Sequence, residues 1–434
     1  MRKRAFWFLT LAVLVAIFSG CSSRPDGGEA SSSGNGETGS GKVGSGKAKT
    51  TLSMMVNISD ESLTKAYREI VDGFTKENPD ISVNLQFDSN DYENTMKVKM
   101  AANDLPDIFD THGWAKIRYG EYLADLRDEP WVSQLTDTIR DVVTDKDGKV
   151  YVLVLTEAKD GMLYNADMLE KYGIEVPRTY DELMAAAEKI KKESGGQTTP
   201  FYLSGIDDYM IGQYLDQFAN PLLITAKNNE ADALLGGTFD WTHITPLAQS
   251  LLTLKEKGLV NEDVLTAKNS DLPASFAAGK TTFALVGPAF MDSVHAIEPN
   301  MKIGIMPLPS MVAGDEPTFA GGERNTLGVW KDSKHLDEAK KLLQYFAKPD
   351  NMAKLSNVSK NPPGLKDIKT NHELTPYYEK YADIRVFPYF DRVYLPNGMW
   401  DVLCKNGTEL LAGRMTPEQF SESMKTEVER LSKK

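Results

Sequence analysis

Between residues 51 and 87 the spacing of apolar side chains changes twice, and that constrains the fold more than any other feature of the chain. Thr51 to Ile58 is a short apolar run that reads as a buried strand. Leu63, Tyr67, Ile70, Val71 and Phe74 then recur at helical spacing from Asp60 to Asn78, and Pro79 ends that helix. Ile81, Val83, Leu85 and Phe87 alternate strictly, as in a strand with one buried face. Strand, helix and strand joined this tightly form a βαβ unit, which predicts an α/β class with mostly parallel sheets. Val150 to Leu155 reads as another strand. Thr179 and Glu182 form a capping box at the head of one helix. Thr416, Pro417 and Gln419 do the same for the last, whose apolar face is Phe420, Met424, Val428 and Leu431.

With 434 residues the chain is long enough for two or three full cores. Its net charge of -13 excludes a general nucleic-acid binder, which needs clustered Lys and Arg. Two Cys and five His exclude a disulfide-stapled scaffold and make a His-built metal centre unexpected. Asp145-Lys146-Asp147-Gly148 starts like a calcium loop, but its twelfth position is Thr156 rather than Glu, so a hairpin turn ahead of Tyr151 is predicted. No phosphate loop or Ser/His/Asp order stands out, and neither a metal nor a cofactor is expected.

The amino-terminal segment reads as an address. Arg2, Lys3 and Arg4 precede an apolar core from Ala5 to Phe18, about 21 Å long as a helix and so too short for a bilayer core of about 30 Å. It reads as an export signal over residues 1–20. Phe18-Ser19-Gly20-Cys21 resembles a lipobox, although Phe18 departs from its usual Leu, and implies lipidation of Cys21. Residues 21–50, rich in Gly and Ser, read as a disordered tether. Cys404 is then left without a partner as a buried, inert thiol.

Further segments carry a family resemblance over nearly the whole remaining chain. Leu105-Pro106-Asp107-Ile108, Lys149-Val150-Tyr151, Leu163-Tyr164-Asn165, Lys171-Tyr172-Gly173-Ile174, Thr179 to Leu183, Phe276 to Lys280, Gly287-Pro288, Ile305 to Pro309 and Gly321-Gly322 occur in an order similar to that of extracellular solute-binding proteins of ABC importers, in the carbohydrate branch that includes maltose-binding protein. The resemblance implies a two-lobed, periplasmic-binding-protein-like fold with a hinged cleft between the lobes. The lobes are expected at 51–157 plus 310–360 and at 158–309 plus 361–434, crossing near Glu157, near Pro309 and over Asn361 to Leu365. It further implies a monomer that captures a sugar or oligosaccharide, delivers it to permease subunits, and sits outside the cytoplasmic membrane, touching it through a lipid anchor only.

A sugar presents apolar faces ringed by hydroxyls, so its site needs aromatic plates beside carboxylates or amides. Asp110, His112 and Trp114 follow the Asp107-Ile108 strand, whose carboxyl end should face the cleft. Trp400 stands at a helix start where the family places a stacking aromatic, while Trp131, Trp241 and Trp330 fall in packing segments. Glu157 lies at the first crossing and reads either as a sugar-binding carboxylate or as an ion pair. Gly322 and Glu323 read either as a close backbone approach to ligand or as a turn. Asp60 follows the first strand, where a helix dipole alone would explain it. Tyr209 begins a helix, and Phe290 stands where the family often has Trp. Arg118, Arg324 and Arg392 leave a uronate ligand open. The alternative of another class is a secreted carbohydrate-active enzyme with Glu157 and Glu323 as its carboxylate pair.

Overall fold

The computed structural model describes residues 50–88 and 91–433. The expectations for residues 1–49, including the export signal and Cys21, lie outside the described residues. Thr50, placed at the end of the tether, instead opens strand β1.

The first βαβ unit forms as its spacing predicts. Strand β1 (Thr50–Val56) pairs in parallel with β2 (Ile81–Phe87), in register from Thr50 opposite Ile81 to Val56 opposite Phe87. The connecting helix Glu61–Glu77 is capped by Asp60, whose carboxylate accepts the Leu63 N–H at 2.7 Å, and it buries Leu63, Tyr67, Ile70, Val71 and Phe74. The helix Tyr92–Ala102 returns the chain to β3 (Ile108–Phe109), parallel to β1. Both capping boxes also form, at Thr179 with Glu182 and at Thr416 with Gln419.

The next strand differs from expectation. It is β4 (Leu153–Asp160), which starts later than Val150 and runs on through Thr-Glu-Ala-Lys-Asp, buried at every residue. Val150 instead bridges Thr144 and closes the predicted turn at Asp145–Gly148. The polar half of β4 is invisible to an apolar-run reading because its burial comes from its place between two packed bodies. Strands β5 (Met162–Asn165), β6 (Phe283–Ala284) and β7 (Ile303–Met306) form one sheet in the order β6-β5-β7. Strands β8 (Phe319–Val329) and β9 (Val386–Pro388) join the other, ordered β2-β1-β3-β8-β4 with β9 beside β8.

Buried apolar side chains divide between two cores. One gathers Leu52 to Leu155 with Leu327 to Leu365; the other gathers Met162 to Leu308 with Phe319, Ala320 and Leu374 to Met424. Core membership therefore changes between Leu155 and Met162, between Ala320 and Leu327, and between Leu365 and Leu374. The second change falls inside β8 rather than near Pro309, because Leu308 is tied to Thr318 by paired backbone hydrogen bonds within the second core. Since β4 leaves the first core and β8 returns to it, the two pair antiparallel. That geometry overrides the mostly parallel expectation. The pairs β1–β2, β1–β3 and β8–β9 are parallel; β3–β8, β4–β8, β5–β6 and β5–β7 are not.

Gly321 belongs to this crossing, where a Cβ would collide with the Ala158 carbonyl of β4. Cys404 is buried in the second core, and burial pushes its thiol up to about 12. Trp131 is buried, and Trp241 and Trp330 pack half-buried against the cores, as read from the sequence.

Candidate binding cleft

One wall of the cleft is the turn after β3. The Asp110 carboxylate accepts the His112 N–H at 2.9 Å and the Thr326 hydroxyl at 2.7 Å. His112 and Gly113 then take positive φ of 46° and 84°, turning the chain so that Trp114 N–H donates to the Thr111 carbonyl. Glu323, reaching across from β8, accepts the Ala115 N–H at 3.0 Å and the Thr111 hydroxyl at 3.4 Å. Burial pushes the Glu323 carboxyl up to about 7, against the Ala115 hydrogen bond and the nearby Arg392 charge, and raises Asp110 in the same direction. Two guanidiniums lie over the Trp114 ring, Arg118 at 4.3 Å and Arg392 at 5.4 Å from its centre.

The opposite wall comes from the second core. It is built from the helix Tyr209–Leu223, the segment from Tyr389 to Arg392, and the helix Met399–Leu411 with Trp400 in its first turn. A cavity of about 700 Å³ separates the walls, with His112 and Trp114 on one side and Asp216, Asp391, Asn397 and Trp400 on the other. A second cavity of about 550 Å³ is lined by Gly113, Gly322 and Glu323 and shares Trp114 and Arg392 with the first.

The crossing strands contribute a buried polar network. Arg324 of β8 donates to both oxygens of Asp160 on β4 at 2.6 and 2.5 Å, and the Tyr389 hydroxyl donates to the same carboxylate at 2.5 Å. Glu157 pairs in register with Glu323, and its N–H donates to the Pro362 carbonyl of the third crossing. Its carboxyl accepts the Thr136 hydroxyl at 3.1 Å, and burial pushes it up to about 7. Asp216 and Asp391 lie in contact, with Asp391 N–H donating to Asp216 Oδ1 at 2.7 Å.

The structure thus brings His112, Trp114, Gly322, Glu323 and Trp400 to the two cavities and sets Asp110 directly behind Trp114. Glu157 stands at the first crossing and lines neither cavity described. Asp60 serves its helix cap, Tyr209 packs half-buried at its helix start, and Phe290 meets Phe276 edge-on at 5.3 Å. Gly321 and Gly322 lie within a strand rather than a turn. Arg118, Arg324 and Arg392, which left a uronate open, all reach the larger cavity, but Arg118 is paired with Glu93 and Arg324 with Asp160. Asp160, Asp216, Tyr389 and Asp391 were not singled out from the sequence. Gln213, Asp216, Gln217 and Asn220 interrupt a largely apolar helix, and that pattern was the available signal.

Comparison with known proteins adds a family and close relatives. Residues 60–353 match the model for bacterial extracellular solute-binding proteins. The chain is 42% identical over 424 residues to the melibiose/raffinose/stachyose-binding protein MelE of Bacillus subtilis, covering 98% of this chain and 96% of that one. A sugar transporter of Bacillus licheniformis solved in complex with stachyose superposes with a TM-score of 0.79 at 46% identity, over 88% of this chain and 100% of that one. A Bacillus subtilis binding protein in an open conformation reaches 0.85 at 44% identity, over 89% and 98%. The two-lobed α/β architecture implied by the sequence is the one these relatives share.

Proposed function

The chain belongs to the bacterial extracellular solute-binding proteins, and on that premise we propose that it captures a sugar of the melibiose, raffinose and stachyose kind in its cleft and passes it unchanged to the permease of an ABC importer. One observation carries this assignment: two tryptophans from opposite cores, Trp114 and Trp400, face one cavity among carboxyl and amide groups. Trp400 and Trp114 act as stacking plates, with Asp216, Asp391 and Asn397 as hydrogen-bond partners for hydroxyls. Asp110 and Glu323 hold the Trp114 turn in place. The lobes move about the crossings at 155–162, 320–327 and 365–374, closing on ligand by hinge motion.

The protein works outside the cytoplasm as a monomer, anchored through lipidated Cys21. Mass spectrometry of membrane-extracted protein should find an acylated chain beginning there. Among the described residues no helix is long and apolar enough to cross a membrane.

The enzymatic alternative finds less support. Glu157 and Glu323 are both buried and both raised, so the pair lacks the ionised partner that a glycosidase sets against its acid. Asp216 and Asp391 are both buried and both raised, so that pair likewise lacks a fully ionised partner. Titration calorimetry with melibiose, raffinose, stachyose and maltose tests the proposal. The first three should bind and be recovered intact; no binding of any, or hydrolysis products after overnight incubation, would overturn it.

A further inference from the structure

Asp216, on the helix Tyr209–Leu223, and Asp391, on the short helix Phe390–Tyr394, form a carboxyl pair in the wall that carries Trp400. Beyond the backbone hydrogen bond at 2.7 Å, the two carboxyls lie close enough to repel one another when both are charged, which favours one proton held on the pair. Asp216 is 2% exposed and Asp391 7%. Two carboxylates in contact and this deeply buried cannot both ionise readily, and burial raises both above the usual carboxylate range.

The surrounding charges do not relieve the pair fully. Arg392, next along the chain, is the cation that acts on both carboxyls, yet its guanidinium stacks over Tyr389 at 4.2 Å and over Trp114. Arg324 is engaged by Asp160. Asp401 and the Cys404 thiol approach from the helix Met399–Leu411, and Tyr214 shares the helix of Asp216. Across the cavity Glu93 is paired with Arg118 and lies 3.7 Å from His112, with Lys97 beyond.

We propose that Asp216 and Asp391 act as one proton-sharing unit toward adjacent hydroxyls of the bound sugar, holding one proton between the two carboxyls while their remaining oxygen lone pairs accept from the sugar hydroxyls. The proposal rests on the sugar-binding assignment above. Its consequence is proton linkage. A sugar seated on Trp400 displaces water from the pair, which raises the cost of the doubly ionised form and leaves the shared proton more tightly held. Capture at alkaline pH is therefore accompanied by proton uptake, and affinity falls as pH rises past the upper apparent pKa of the free pair, by up to about tenfold per pH unit.

Calorimetric titration with stachyose at about pH 8.5, in two buffers of different ionisation enthalpy, reads the proton directly. The wild-type protein should take up part of a proton on binding. Asp216→Asn and Asp391→Asn should each abolish that uptake, whereas Glu157→Gln should leave it in place, which separates the pair from the other raised carboxyl. Binding without uptake anywhere between about pH 6 and 9.5, or uptake unchanged in both Asn variants, overturns the inference while leaving sugar binding intact. Absence of stachyose binding at every pH overturns the functional assignment and this inference together. Should either variant fail to fold, carbon-13 titration of the wild-type aspartate carboxyls decides instead. A pair still sharing a proton above neutral pH supports the unit; full ionisation of every aspartate by about pH 6 overturns it.

Discussion

Trp114 and Trp400 face the same cavity but are held in opposite ways. Trp114 sits in a tight turn fastened from behind by two buried carboxyls, Asp110 and Glu323, and its ring already lies under two guanidiniums. Trp400 sits in the first turn of a helix, after Pro396-Asn397-Gly398, and among the described residues no aromatic or cationic partner lies against its ring. A ligand arriving at Trp400 replaces water. At Trp114 it must also displace or share a cation that is already bound there. Equal ring area should therefore give unequal binding energy, and the integrity of the Trp114 wall should depend on pH through the Glu323 carboxyl behind it.

The largest expected effect concerns that dependence. Glu323 has a folded-state pKa of about 7 against an ordinary 4.5, so the folded state binds the proton more tightly than the unfolded one. Its contribution to stability is fully present below about pH 4.5 and is lost as pH rises toward 7, by at most on the order of 3 kcal/mol. Glu323→Gln, which keeps an acceptor for Ala115 N–H without the charge, should gain on wild type by about that amount between pH 5 and 8 in urea unfolding. A constant difference across that range would mean that Glu323 confers no pH dependence on the Trp114 wall.

Next comes the pair of rings. Trp400→Ala should weaken stachyose binding by about 2 kcal/mol, some thirtyfold, with little change in the unfolding midpoint. Trp114→Ala should cost about 1 kcal/mol of binding, because the truncation also releases Arg118 and Arg392 from the ring. Calorimetry and thermal unfolding on the same two variants read both quantities. A large midpoint loss with unchanged affinity would return Trp400 to packing, and equal binding losses would erase the distinction between the plates.

How far the sequence exposes this arrangement varies with the source of each residue's burial. The βαβ unit at 50–87 is legible because its own periodicity decides which face is buried. Trp114 and Trp400 are legible because a strand's carboxyl end and a helix start are positions with known orientation. The polar half of β4 is not, since Glu157, Lys159 and Asp160 are buried by two cores that the chain visits at distant points. Asp391 is illegible for the same reason. Its partner Asp216 lies far back in the chain, on a different element, and only the fold brings the two carboxyls together. Glu323 shows a mixed case: the flanking glycines mark an unusual backbone, but not that the close approach is to Ala158 rather than to a ligand.

The smallest effect tests the cation that joins the two walls. Arg392 belongs to the Trp400 side, in the segment with Asp391, yet its guanidinium reaches Trp114 and fills the space that a Cβ on Gly113 would need. At 5.4 Å from the ring centre, in a cavity open to water, the contact should contribute about 0.5–1 kcal/mol. A double-mutant cycle of Arg392→Ala and Trp114→Ala, read as unfolding free energy without ligand, isolates that coupling from whatever else either side chain does. With stachyose present the sign of the single substitution becomes informative. Arg392→Ala uncovers the Trp114 ring, so its binding loss should be smaller than that of Trp114→Ala even though both break the same contact. Zero coupling in the cycle would show the Trp114 ring to be as free as that of Trp400. The inequality between the plates would then have to come from the turn behind Trp114 alone.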